Sequence, residues 1–450
     1  MRRRILVIGG VAAGPSAASK AARVNPGAEV VLFEQGDAVS YGICELPYYV
    51  AGELRPEGLV SYTPETLRSQ KRVDARILHR VEDIRLQRRT IAVRDLRNGQ
   101  TSEEPFDRLI IATGARPRKL GLEGEDRRNV FRMRALDEGL ALKKFLDEEK
   151  PREAVVIGGG YIGMEMADTL RGRGLEVTLL HNASLPMKGL ERQSREKVRE
   201  ELERNGVTFI GQARTEGFIA GNDARVTHVV TDQGSFPAEC VIVAIGIEPT
   251  AELAAGAGLR LGMSGAIATD QRQLTSADNV YAAGDCCEVK NVVTGKPMYI
   301  PLATVASKAG WTAGENAAGG RAEFRGAIRA IAVKVFGLEV ANVGISTEEA
   351  RGAGLDPVTE TITAWSRVAA MPGAARISVT AIADRKSRRI LGANVIGPEG
   401  AVLRANTLAV AIQQRITLDD MQQWDLAYSP PYTPLWDPLL VAANALRKRL

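Results

Sequence analysis

Cysteine is scarce: four residues in a chain of 450, at positions 44, 240, 286 and 287. That number and its irregular spacing exclude a disulfide scaffold and suit a reducing, cytoplasmic setting. Membrane-spanning runs are missing as well, since no uncharged apolar stretch reaches the length a bilayer needs; a soluble protein is expected. A strong charge excess is also absent. The net charge of +5 comes from 59 basic against 54 acidic residues, which argues against a nucleic-acid partner and fits a small anionic substrate. Met1 is followed by Arg2, Arg3 and Arg4, then by a short strand and glycines with no cleavage-like site, so no secretory leader is read. No metal site is assigned.

Glycine is abundant, with 45 residues, and its placement is informative. Ile5–Ile8 reads as an apolar strand. Gly9, Gly10, Ala12, Ala13 and Gly14 follow as a turn into an alanine-rich helix that runs to about Arg23. A second strand, Glu29–Phe33, ends at Glu34, placed to bind an adenosine ribose. Strand, glycine turn, helix, strand and terminal acid make a dinucleotide-binding unit, although Val11 stands where GxGxxG has its middle glycine. The pattern restarts at Val155-Val156-Ile157 with a complete glycine motif, Gly158-Gly159-Gly160-Tyr161-Ile162-Gly163, whose open Gly160 lets backbone meet a pyrophosphate at a helix N-terminus. The next strand, Glu176–Leu180, ends at His181 and Asn182 in place of an acid. Nothing there repels a 2′-phosphate, so NADPH or NADH is expected, with Arg173, Lys188, Arg192 or Arg195 as sources of positive charge.

Two dinucleotide units in one chain point to hydride passage between a nicotinamide and a flavin. Two further strand ends fit this reading: the one reaching Thr113-Gly114, and its echo from Cys240 to Gly246. After Asn279–Ala283, Gly284 and Asp285 place a carboxylate suited to ribityl hydroxyls. Arg88, Arg89 and Thr90 mark a hairpin turn, and Arg116–Lys119 a linker. Beyond residue 325 come strands at Ala330–Val335, Ile377–Ile382 and Arg389–Val395, then a helix over Gly400–Gln414. An aromatic stretch with Trp424, Tyr428, Tyr432 and Trp436 follows, expected as an exposed patch or as internal packing.

The stretch Ser40-Tyr41-Gly42-Ile43-Cys44-Glu45-Leu46-Pro47 sets one cysteine ahead of a proline. Proline is tolerated in a helix's first turn. Cys44 is therefore expected at or just before a helix N-terminus, where free amides favour a thiolate; a buried, inert thiol is the other reading. Cys240 is expected buried at a strand start, and Cys286 and Cys287 packed near the cofactor.

Together these features resemble the flavin-dependent pyridine nucleotide–disulfide oxidoreductases, within them the single-cysteine branch of coenzyme A disulfide reductases, NADH oxidases and NAD(P)H persulfide reductases. The likeness runs from residue 4 to 445. It rests on GGVAAG at 9–14, YGICELPYY, ATG at 112–114, GGGYIGME at 158–165, TD at 269–270, NVYAAGDC at 279–286, VTGKP…IPLA to residue 303, and LAYSPPY. The resemblance implies an α/β fold with an FAD-binding domain (1–120 and 240–322), an NAD(P)H-binding domain (121–239) and an α+β dimerisation domain (323–450). It implies FAD and NAD(P)H as cofactors, with Pro301 and Ala303 also at the cofactor, and Cys44 as the sole redox cysteine. It implies a homodimer in which Tyr428 and Tyr432 approach the other subunit's cysteine. Ser40, Lys20, Arg23, Tyr62 and Arg68 fall where some relatives bind coenzyme A. The implied reaction reduces a small disulfide or persulfide through a mixed disulfide at Cys44; oxygen reduction and a redox-sensor role are the alternatives. The chain departs from the family pattern at Ile43 and Glu45, lacks an aromatic residue before Pro372-Gly373-Ala374, and has Val-Ala-Ala at 11–13 where the peroxidase branch has a histidine.

Overall fold

The computed structural model describes residues 3–221 and 225–450; Met1 and Arg2 lie outside them. Strands rich in Val, Ile and Leu are buried on both faces and pair in parallel. The first sheet takes Val280–Ala282, Arg108–Ile111, Arg4–Ile8, Glu29–Phe33 and Asp74–Arg76 in that spatial order, all parallel. The second takes Val207–Gly211, Glu176–His181, Glu153–Ile157, Cys240–Val243 and Val130–Phe131, again all parallel. The C-terminal sheet is antiparallel, ordered Ala330–Val335, Leu338–Gly344, Ile390–Gly397, Arg376–Asp384 and Pro357–Trp365. Helices Ala401–Gln413 and Pro438–Arg447 close its apolar face. Two Rossmann-like units and a C-terminal α+β unit are thus the observed architecture. Among the described residues no helix is long and apolar enough to cross a membrane.

The two parallel units repeat each other down to single contacts. Gly9 and Gly158 both have left-handed φ, +104° and +115°. A Cβ on Gly9 would strike the carbonyl of Ala112, and one on Gly158 the carbonyl of Ala244. The strand end at Ala244 is therefore the structural echo of the one at Ala112.

Three expectations change. The linker at Arg116–Lys119 is partly a strand: Ala115–Pro117 pairs antiparallel with Ile247–Pro249. The two chain crossings between the units lie side by side and satisfy each other's backbone groups. Cys240–Val243, expected to open the second FAD segment, pairs with Glu153–Ile157 and so belongs to the second sheet. Trp424 is half-buried against the C-terminal core, which leaves Tyr428, Tyr432, Leu435 and Trp436 as the exposed strip. The hairpin turn at Arg88–Thr90 is present, with Arg89 at φ +52°.

Candidate active site

In the first unit Gly10 N–H donates to Glu34 Oε2 at 2.6 Å, and Gly36 N–H to Oε1 at 2.7 Å. Burial raises the Glu34 pKa against the lowering effect of those hydrogen bonds. In the second unit Gly159 N–H donates to His181 Nδ1 at 3.2 Å. His181 therefore occupies the place that Glu34 holds in the first unit. Because Nδ1 accepts, the ring proton sits on Nε2, which is buried and has no partner among the described residues. Burial first and the nearby Arg195 second push the His181 pKa down, keeping the ring neutral. A neutral, unpartnered donor at the end of this strand suits a ribose hydroxyl or a 2′-phosphate.

Of the basic residues expected to help there, Arg195 donates to Pro186 O at 2.9 Å and Leu185 O at 2.5 Å. Arg173 is held by Val50 O at 2.8 Å and by Asp147. Arg192 pairs with Glu196, and Lys188 is exposed. Of the four, only Arg192 and Lys188 are exposed enough to meet a phosphate, Arg192 by giving up Glu196. Beyond Gly160 nothing lies within 4 Å of an added Cβ; the space beside that backbone is open. Tyr161 turns to the C-terminal sheet, where Asn342 Nδ2 donates to its hydroxyl at 3.5 Å, and Ile162 packs on the core.

Around the first unit, Asp285 Oδ2 accepts from Arg134 at 2.5 Å, while Asp285 Oδ1 and the Tyr299 hydroxyl are buried without partners among the described residues. These orphaned polar atoms beside the first glycine loop fit the ribityl chain and ring edge of an FAD. Gly284, at φ +90°, brings this segment against Ala13. Thr113 Oγ1 donates to Thr250 O at 2.6 Å. Gly114 and Gly246 are both left-handed, at φ +69° and +103°. Ser40, at φ +54°, donates its N–H to Gly10 O at 2.7 Å. Pro301 is half-buried, and Ala303 opens the helix Ala303–Ala317. That helix packs so tightly on Ala13–Val24 that a Cβ on Gly310 or Gly314 would meet the carbonyls of Ala13 or Ala17.

Cys44 precedes the helix Leu46–Ala51, with Glu45 as N-cap and Pro47 in its first turn. The expected position is correct, but the expected effect on the thiol is reversed. Cys44 is exposed on one side, yet burial by the protein packed on its inner side is the foremost cause of a raised pKa. Glu165 and then Glu45 add to the rise, and Arg134 opposes them. A helix this short offers little dipole, and burial with three carboxylates, Glu165, Glu45 and Asp285, outweighs it. Glu45 folds its carboxylate back over Gly42, in space only a glycine leaves free. The helix itself is fixed to the second glycine-loop helix, Tyr161–Gly172, where Thr169 Oγ1 donates to Pro47 O at 3.2 Å.

Arg134, Glu165 and Tyr299 escaped the sequence reading. Arg134 and Glu165 come from the second unit, and only folding brings them to Cys44. Tyr428 and Tyr432 stand on the C-terminal surface with 50% and 79% exposure. Lys20 is paired with Glu315 at 2.8 Å and lies over the Trp311 ring at 3.5 Å. Arg23 is exposed, Lys71 sits 5.1 Å above the Tyr62 ring, and Arg68 pairs with Asp74. Cys240, Cys286 and Cys287 are buried free thiols.

Residues 3–310 match the pyridine nucleotide-disulphide oxidoreductase family, and residues 331–438 its dimerisation domain. The NAD(P)H coenzyme A polysulfide/persulfide reductase of Pyrococcus horikoshii is 35% identical over 448 residues, covering 99% of both chains. The NADH oxidase of Methanocaldococcus jannaschii is 30% identical, with 99% of each chain covered. The solved NAD-dependent persulfide reductase from A. fulgidus superposes with a TM-score of 0.95 at 37% identity, over 99% of this chain and 83% of the other. With two dinucleotide units and one exposed thiol between them, the chain belongs to the pyridine nucleotide-disulphide oxidoreductases, in their single-cysteine branch.

Proposed function

We propose that this protein is a homodimeric, FAD-dependent NAD(P)H reductase of a small disulfide or persulfide, acting through Cys44. The observation that carries this reading is the single exposed thiol at the junction of the two dinucleotide units, with Arg134, Asp285 and Glu165 around it. The Gly9–Gly14 loop, Glu34, Asp285 and Tyr299 would hold FAD. The Gly158–Gly163 loop and His181 would hold the nicotinamide dinucleotide. FAD supplies the two-electron relay between nicotinamide and sulfur.

The chain's own residues do the rest. Cys44, as thiolate, attacks one sulfur of R–S–S–R, forms Cys44–S–S–R and releases R–S⁻. The incoming sulfur replaces the second cysteine that a dithiol enzyme would carry. Arg134 is the cation that favours the thiolate against Glu45 and Glu165. Tyr428, reaching across from the second subunit as the family resemblance implies, would protonate that first leaving sulfur. Lys71 above the Tyr62 ring and the exposed Arg23 are cations suited to an anionic substrate such as a coenzyme A derivative. Lys20, held by Glu315, contributes less charge there.

The test is anaerobic NADPH or NADH consumption with a panel of disulfides and persulfides. Turnover that requires the sulfur acceptor and disappears in Cys44→Ser is the expected result. Equal consumption with O₂ alone, unchanged in Cys44→Ser, sinks the reading and favours the oxidase that the Methanocaldococcus relative's name suggests.

A further inference from the structure

Two asparagines are buried where the C-terminal sheet meets the second dinucleotide unit. Asn342 and Asn394 are register partners on the neighbouring strands Leu338–Gly344 and Ile390–Gly397, 4% and 2% exposed. Side chains alternate between the two faces of a strand, and this strand pair divides accordingly. Ala341, Val343, Ala393 and Val395 belong to the core beneath the helix Ala401–Gln413. Val340 and Ile396, on the other face, join a core that includes Met187 and Leu190 of the second unit. The two asparagines lie on that second face. Polar groups in such a place are costly unless they are paired.

Their partners show what they hold. Asn394 Nδ2 donates to Asn342 Oδ1 at 3.0 Å, which leaves Asn342 Nδ2 and Asn394 Oδ1 for the second unit. Asn342 Nδ2 donates to Gly189 O at 3.3 Å and to the Tyr161 hydroxyl at 3.5 Å. Asn394 Oδ1 accepts from Glu191 N–H at 2.8 Å. Glu191 Oε1 in turn accepts from Thr347 N–H at 2.8 Å, just past the end of the first of these strands. The same segment is also tied to the glycine loop, since Met187, at φ +52°, donates its N–H to Gly159 O at 2.7 Å. Residues 187–191 thus run from the loop that would meet the pyrophosphate to the asparagine pair. Lys188, exposed, stands between the anchors at Met187 and Gly189.

We propose that Asn342 and Asn394 are positioning residues for the nicotinamide dinucleotide: from the C-terminal sheet they hold segment 182–191, which follows His181, in its binding shape against the second glycine loop. This rests on reading the second unit as the nicotinamide site. A segment held in advance does not have to be ordered by the ligand, and affinity drops by the fraction of time it is out of place. The sheet that lies in the matched dimerisation domain thereby also sets the affinity of a site in another unit. The effect falls on dinucleotide binding rather than on the step that follows it.

Anaerobic stopped-flow reduction of the bound flavin, run on the holoenzyme with NADPH and with NADH, gives a Kd and a limiting rate separately. Hydrogen exchange on dinucleotide-free holoenzyme follows the segment itself. In Asn342→Ala, peptide 182–191 is expected to exchange faster while Arg4–Ile8 does not change. The Kd is expected to rise about ten-fold and the limiting rate to stay within about two-fold of wild type. Glu191→Ala, which removes only the tie to Thr347, is expected to raise the Kd about three-fold, and Glu191→Gln, which keeps an acceptor there, to restore it. Faster exchange with an unmoved Kd makes the asparagines a docking contact between units and overturns the proposal. So does a loss confined to the limiting rate. Where Asn342→Ala does not fold, the Glu191 pair decides, and equal Kd values in its two variants overturn the proposal. If neither dinucleotide reduces the flavin of the wild type, the reading of the second unit falls and takes this proposal with it.

Discussion

At the scale of single residues, the thiol is the clearest case of local sequence and folded surroundings disagreeing. The proline and the apolar run placed Cys44 correctly at a helix start. One charge that acts on it, Glu45, is its sequence neighbour, but Glu165 and Arg134 lie more than 80 positions away in the chain, and no local pattern announces those two. Arg134→Met is expected to raise the alkylation midpoint of Cys44 and Glu45→Gln to lower it, because each removes a charge whose sign is known. His181 gives a second test at this scale. A carboxylate there would repel a 2′-phosphate, so His181→Glu is expected to shift the NADPH-to-NADH ratio of kcat/KM by about ten-fold toward NADH, equivalent to about 1.4 kcal/mol. Steady-state kinetics with both dinucleotides checks it.

At the scale of elements, the strands and both glycine loops were legible because each needs a local pattern: apolar runs for a doubly covered strand, glycine where a carbonyl passes too close for a Cβ. Val11 in place of a glycine did not mislead, since the essential contacts in that loop are made by Gly9 and Gly14. What was not legible is pairing between distant segments. Nothing in Arg116–Lys119 shows that Ile247–Pro249 will lie beside it. Arg404, on the long helix, is buried against Asp437, donating to Oδ2 at 3.0 Å and to Ser366 O at 2.9 Å. This pair ties down the far end of the segment bearing Tyr428 and Tyr432. Arg404→Met leaves Asp437 buried without its cation and is expected to cost on the order of 3 kcal/mol in urea unfolding. Gly314→Ala, which forces a methyl onto the Ala17 carbonyl, is expected to cost about 1–3 kcal/mol by the same measurement.

At the scale of the whole molecule, the C-terminal unit leaves Leu403, Val410, Tyr432, Leu435 and Trp436 exposed at 57% or more, apolar side chains of the kind found at interaction surfaces. In the proposed dimer a second copy covers that surface. Tyr432→Asp with Trp436→Asp is expected to halve the mass seen in sedimentation and to abolish disulfide reduction, while NADPH still binds. A mutant that remains dimeric and active would show that the strip is no interface.

The ribbon of Ala115–Pro117 and Ile247–Pro249 also bears on how the chain is built. Pro117 and Ile247 are register partners, so the whole second unit enters and leaves the first through one pair of neighbouring residues. An insert with touching ends can be lifted out. Residues 118–246 are expected to fold as an autonomous module, and joining 117 to 247 by a short turn should leave the first sheet intact. The same junction allows exchange: a second unit of different nicotinamide preference could be grafted there, provided the graft keeps an arginine and a glutamate at the places of Arg134 and Glu165, which act on Cys44.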